Sequence, residues 1–258
     1  MKAKPIVGIT LGDAAGIGPE ITIKALSERN IFDYCKPLII GDPKVAKEAI
    51  ELTKTSFRIR EVSSPSECRG EPGIIEILPV AILDRTPIVY GKVNAVLGEA
   101  SVKQSMEAAR LALAGEIDAI CSAPVNKESM RLAGYKYEGQ TQLFGEYCRA
   151  KKWGMLLLFG NIRCYMLTNH LALSEAINKV TKENILSALD LISGSIQLFV
   201  PDRQPIVAVS ALNPHAGENG LFGREEIDEI NPALEEANIQ FPNIKSVGPI
   251  PSDTIFVR

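Results

Sequence analysis

The chain has 258 residues, enough for one large α/β domain or two smaller ones, each with a full core. Apolar residues make up 46% and charged residues 23%, and the net charge is −3, so nothing in the balance draws the protein to nucleic acid or to an anionic membrane. No apolar run approaches the ~18 residues of a membrane span, and Met1-Lys2-Ala3-Lys4-Pro5 leads straight into a short apolar stretch without a visible secretory signal.

Apolar runs alternate with helix-period stretches from end to end. The pattern predicts strands over residues 5–10, 37–41, 57–62, 74–78, 119–122, 155–160, 163–168 and 205–210. It predicts helices over 19–28, 44–52, 93–114, 127–133, 142–150, 182–199 and 225–237. This βαβ rhythm implies a mainly parallel sheet covered by helices. The long helix 93–114 feeds the strand that ends at Ala123-Pro124, which places a domain crossing there: residues 1–122 form a first α/β domain and 123–258 a second. Five cysteines, at 35, 68, 121, 148 and 164, are odd in number and never spaced as CxxC. They point to a reducing compartment, the cytoplasm, and away from a disulfide framework or zinc knot.

The chemistry-bearing residues gather where strands end. Leu11-Gly12-Asp13-Ala14-Ala15-Gly16-Ile17-Gly18-Pro19-Glu20 follows the first strand and opens the first helix, with Pro19 suited to a first helical turn. It lacks the spacing of the dinucleotide or P-loop fingerprints, so a tight strand-to-helix turn accounts for it. Ser122-Ala123-Pro124-Val125-Asn126-Lys127 makes the same kind of junction, where Lys127 either faces an anion or simply faces solvent. In Gly139-Gln140-Thr141-Gln142, Thr141 is a good helix N-cap, and Gln140 and Thr141 are also able to donate to a phosphate. The chain has only two histidines. His170 follows the run 163–168, and His215 follows 205–210 in Asn213-Pro214-His215-Ala216-Gly217-Glu218. Ligand sites of open parallel sheets lie beyond strand carboxyl ends. Two imidazoles there are either a divalent-metal pair or half-buried rings satisfied by backbone groups. Asp253 is the best carboxylate to accompany them, or else a turn aspartate; Glu218 and Asp228 read as solvent-facing.

Taken together, Gly12–Glu20, Ser122–Lys127, Asn169-His170-Leu171-Ala172-Leu173, Asn213–Glu218 and Gly248-Pro249-Ile250-Pro251-Ser252-Asp253-Thr254 resemble the 4-hydroxythreonine-4-phosphate dehydrogenase family of pyridoxine biosynthesis and its relatives acting on phosphorylated threonate or erythronate. The resemblance runs the length of the chain. It implies two α/β/α domains akin to isocitrate and isopropylmalate dehydrogenases, a homodimer with its active site at the subunit interface, and NAD or NADP as oxidant. It further implies a divalent metal (Zn, Mg, Mn or Co) on His170 and His215, Asp253 as general base, and Gln140, Thr141 and Lys127 beside a small phosphorylated hydroxy acid that is oxidised and decarboxylated.

Two departures from the family pattern bear on function. Gln140 stands where the family usually has histidine, so it donates a hydrogen bond but never carries charge. The family continues past the position of Arg258 with a third histidine, further phosphate contacts and much of the dinucleotide site. The expectation is therefore a C-terminally shortened chain with weak metal affinity and little turnover. The rival reading is a non-catalytic binding protein on the same fold; a dehydrogenase of non-phosphorylated dihydrodiols is a further alternative.

Overall fold

The fold was read from a computed structural model that describes residues 4–83 and 86–257. Two compact units divide between Lys151 and Lys152. In chain order the first contains β1 (Ile6–Thr10), α1 (Gly18–Leu26), α2 (Ile31–Tyr34), β2 (Lys36–Gly41), α3 (Pro43–Thr53), β3 (Arg58–Glu61), β4 (Ile74–Pro79), α4 (Ala95–Leu113), β5 (Ala119–Ser122), α5 (Lys127–Leu132) and α6 (Gln140–Tyr147). Its five strands form one all-parallel sheet in the order β3-β4-β2-β1-β5.

The core follows from side-chain alternation on β2. Ile39 points to one face, where Ile23 and Leu26 of α1 and Val45, Ala46, Ala49 and Ile50 of α3 close over it. Leu38 and Ile40 point to the other face, covered by Ala108 and Leu111 of α4 together with Ile117. A third cluster, Val102, Met130 and Leu143, packs α5 and α6 against α4. Residues 123–151 therefore belong by packing to the first unit, although the sequence pattern assigns them to the second domain. Helical periodicity shows that a helix has an apolar face, not which core receives it.

The second unit contains β6 (Met155–Phe159), β7 (Ile162–Met166), α7 (Leu173–Ile177), α8 (Lys182–Ser195), β8 (Ile206–Ser210), α9 (Asn231–Gln240) and β9 (Lys245–Ile250). β6 and β7 form an antiparallel hairpin, and β8 and β9 a parallel pair. Ile185 and Leu189 of α8 pack against Ile230, Ala233, Leu234 and Ala237 to make its core. Each buried leucine or isoleucine there contributes about 1.5–3 kcal/mol. β9 and α7 lie outside the sequence-predicted elements. All five cysteines are free thiols. No helix among the described residues is long and apolar enough to cross a membrane.

Candidate active site

The register of the first sheet brings two distant motifs together. Thr10 pairs with Ser122, so the chain leaves β1 and β5 side by side. Gly12 has φ 70 and lies so close to the Pro124 carbonyl that no side chain fits between them. The Asp13 N–H donates to that carbonyl at 3.0 Å. Gln104, buried in α4, accepts from the N–H groups of Leu11 and Gly12 at 3.1 and 3.2 Å. Asp13 is itself buried and accepts from the Ala15 N–H at 2.9 Å. Burial pushes its carboxyl above the usual range, against the pull of the Ala15 hydrogen bond. The glycine-rich segment is thus a tight turn locked onto the second motif, as its spacing predicts. Gln104 and Asp13, which hold it, carry no local signal in the sequence.

A cleft of about 310 Å³ opens beside this turn, lined by Ala14, Ala15, Ile17, Val45, Leu52 and Tyr90 among others. Its ionisable residues besides Tyr90 are Glu20 and Glu48, the wrong sign for a phosphate.

The predicted anion-facing residues also sit in the first unit. Asn126 caps α5 by accepting from the Ser129 N–H at 2.9 Å, which leaves Lys127 exposed as the first helical residue. A cation at that end opposes the helix dipole, so its position is not explained by helix stability. α6 starts two residues earlier than an N-cap role for Thr141 requires: Gly139 is the cap residue, without a side-chain bond, and Thr141 lies exposed in the first turn. Gln142 reaches back to accept from the Glu138 N–H at 2.8 Å, which ties the entering chain to the helix. The Gln140 amide nitrogen is buried without a hydrogen-bond partner. Thr141 thus presents an exposed hydroxyl at a helix start, while the enclosed Gln140 amide nitrogen holds an unused donor beside it.

In the second unit Ser210 pairs with Ile250, and the Ala211 N–H donates to the Ile250 carbonyl at 2.8 Å. The turns carrying His215 and Asp253 therefore leave the same carboxyl end of the parallel pair β8–β9. Both side chains are exposed. His170 is exposed as well, on a left-handed residue with φ 55, but it follows an antiparallel strand, not the parallel one its apolar run suggests. Neither imidazole is buried in a core.

The His215 turn has an uncommon backbone. His215, Ala216, Gly217, Glu218 and Asn219 are consecutive left-handed residues, with φ between 43 and 77. Such a conformation costs about 1–2 kcal/mol at each non-glycine position, so neighbouring bonds must impose it. Glu226 braces the segment that leads into this run. Its buried carboxylate accepts from the N–H groups of Leu212 and Asn213 at 2.9 and 2.7 Å and from the Asn213 side-chain amide at 2.8 Å. Burial alone raises this carboxyl, but the bonds from Asn213 and Leu212 outweigh it and hold the group below the usual range. The sequence pattern passes over Glu226, one of four acidic residues in Glu225-Glu226-Ile227-Asp228-Glu229 that together read as a solvated helix face.

Two imidazoles are suitable donors for a divalent ion, but no group of three His, Cys, Asp or Glu able to hold one occurs among the described residues. A protein site normally needs three anchors, so these residues supply only part of a donor set.

Polar turns gathered at the carboxyl ends of parallel strands define an α/β protein of the open-sheet, ligand-binding class. Comparison with known proteins narrows this. The family model described as pyridoxal phosphate biosynthetic protein PdxA matches residues 33–258. The 4-hydroxythreonine-4-phosphate dehydrogenase of Trichlorobacter lovleyi is 37% identical over 254 residues, covering 98% of this chain and 75% of the relative. A protein of Symbiobacterium thermophilum, provisionally named D-threonate 4-phosphate dehydrogenase, is 34% identical over 99% of this chain and 76% of its own. The crystal structure of a 4-hydroxythreonine-4-phosphate dehydrogenase from Burkholderia phymatum superimposes with a TM-score of 0.87 at 35% identity, covering 100% of this chain and 77% of that one. The chain belongs to the PdxA family of dehydrogenases.

Proposed function

We propose that the chain serves an NAD(P)-dependent oxidative decarboxylation of a small hydroxy acid carrying a phosphate. In this reading His170 and His215 hold a divalent ion, Asp253 is the general base, and Lys127, Gln140 and Thr141 meet the phosphate. The observation that carries it is the common origin of the His215 and Asp253 turns at the carboxyl end of β8–β9, in a chain that aligns almost throughout with named dehydrogenases. A bound divalent ion supplies stabilisation of negative charge on the substrate oxygen. Asp253 would take the hydroxyl proton, and a bound nicotinamide would supply the acceptor for the hydride. Loss of the adjacent carboxylate as carbon dioxide would leave its bonding pair on the new ketone as an enolate, which takes up a proton at carbon. Gln140, with its unpartnered amide nitrogen, binds the phosphate as a neutral donor, and Lys127 supplies the charge.

A homodimer in the cytoplasm completes this reading, in keeping with five free thiols. Phosphorylated threonate is a second substrate, favoured by the name of the Symbiobacterium relative. Calorimetry with 4-phosphohydroxy-L-threonine, D-threonate 4-phosphate and unphosphorylated threonate, in the presence of Mn²⁺, tests the assignment. Phosphorylated acids should bind, and Lys127→Ala should weaken them ~10-fold, the 1.4 kcal/mol of one charge-assisted contact. Equal affinity for the unphosphorylated acid would contradict the proposal.

A further inference from the structure

We infer that Glu226 is a positioning residue for His215: its buried carboxylate sets the turn that presents the imidazole. Four observations converge on it. The carboxylate binds the N–H groups of Leu212 and Asn213, just past the end of β8, and also the Asn213 side chain. Glu225 accepts from the same Asn213 amide at 2.6 Å, so one side chain is held by two carboxylates. Gly217, two residues beyond His215, passes so close that a Cβ there would lie 2.8 Å from the second Glu226 oxygen. Gly223 likewise leaves no room for a side chain beside Asn213.

The backbone around Glu226 agrees. Residues Glu226–Ile230 form a π-helical turn that runs directly into α9. Such turns persist where an inserted residue re-aims a side chain, and they recur at functional sites. Here the turn aims a carboxylate inward at residues 212–213, while Ile230 keeps the segment anchored in the apolar core. Glu226 forms its hydrogen bonds with Leu212 and Asn213, not with His215 itself. It acts on residues 212–213 before the imidazole and lies against Gly217 after it, so His215 is flanked on both sides by residues that Glu226 touches. An exposed ring on an unsupported loop would sample many directions; this bracket confines the backbone that carries it.

The inference rests on reading His215 as a metal ligand, and the test separates the two. With only two histidines, the ¹H–¹³C spectrum of the metal-free protein holds two imidazole Cε1–H cross-peaks, assigned with His170→Ala and His215→Ala. Glu226→Ala should move the His215 cross-peak and leave that of His170 in place. It should also weaken Mn²⁺ binding by calorimetry ~10-fold or more, as loss of a supporting residue does. Glu226→Gln retains one acceptor oxygen and should fall between Glu226→Ala and the unmodified chain. If Glu226→Ala does not fold, Glu226→Gln and Asn213→Ala are read by the same two measurements. A His215 cross-peak that stays put in the folded variants, or both peaks moving together, overturns the positioning role. Mn²⁺ affinity unaffected by His215→Ala would instead overturn the ligand assignment, with the spectra still reporting on Glu226.

Discussion

Gly217 illustrates how residue-scale geometry constrains the site. It has φ 77, and the Glu226 carboxylate occupies the space of a Cβ. Gly217→Ala should therefore cost about 1–3 kcal/mol by denaturant unfolding, the range for a residue forced into a disfavoured region. Glu226 carries a pH signature of known sign. Its folded-state pKa is depressed, so its contribution is present above the unfolded value and is lost as pH falls through the folded one. Glu226→Gln should flatten the acid limb of the stability curve and lower stability at neutral pH. Asp13 has the opposite sign: burial raises its pKa, so stability declines as pH rises from the unfolded value toward the folded one. Asp13→Asn, which keeps an acceptor for the Ala15 N–H, should hold or raise stability at neutral pH and remove that slope. In the proposed phosphate contact the Gln140 amide is a donor without charge. Gln140→His should add to substrate affinity a component that rises as pH falls through ~6.5, over and above the change that the substrate phosphate itself causes in the unmodified chain.

At the scale of elements, periodicity located β5 at 119–122 and the strands on either side of the first motif within a residue or so. β1 and β2 are apolar runs packed between helices, the pattern that survives without knowledge of neighbours, and β5 is a short half-exposed edge strand marked by the turn that follows it. β9 was not legible, because Lys245, Gly248 and Pro249 interrupt the alternation and Gly-Pro reads as a break. Its pairing with β8 depends on residues about forty positions away, and the relation between the His215 and Asp253 turns rests on that pairing. The Glu226 clamp was hidden for the same reason: an acidic residue in an acidic run becomes a buried anchor only once residues 212–213 are folded against it. Thr141 shows the sensitivity of caps to a two-residue shift, since the helix begins at Gln140 and the cap position falls to Gly139. The junction of the two first-unit motifs makes a further element-scale prediction. Gly12→Ala places a methyl against the Pro124 carbonyl in a left-handed residue. It should destabilise the chain by about 2 kcal/mol or more and raise hydrogen exchange across 122–127.

Across the molecule, each unit has its own core: the two faces of the five-stranded sheet in the first, and α8 packed on α9 in the second. The residues read as phosphate-facing belong to the first unit and those read as metal-binding to the second. The family resemblance was legible because it rests on short turn motifs at strand ends, where backbone geometry and chemistry fix residue type together. The assignment of residues 123–151 was not, because it is decided by which apolar face α4 leaves open. The central claim is that the imidazoles of His170 and His215 bind one divalent ion between them. Calorimetric titration of Mn²⁺ into the chain and into His170→Ala and His215→Ala tests it most directly. The account predicts a single ion per chain, with affinity lost in either variant; binding that survives both substitutions would contradict it.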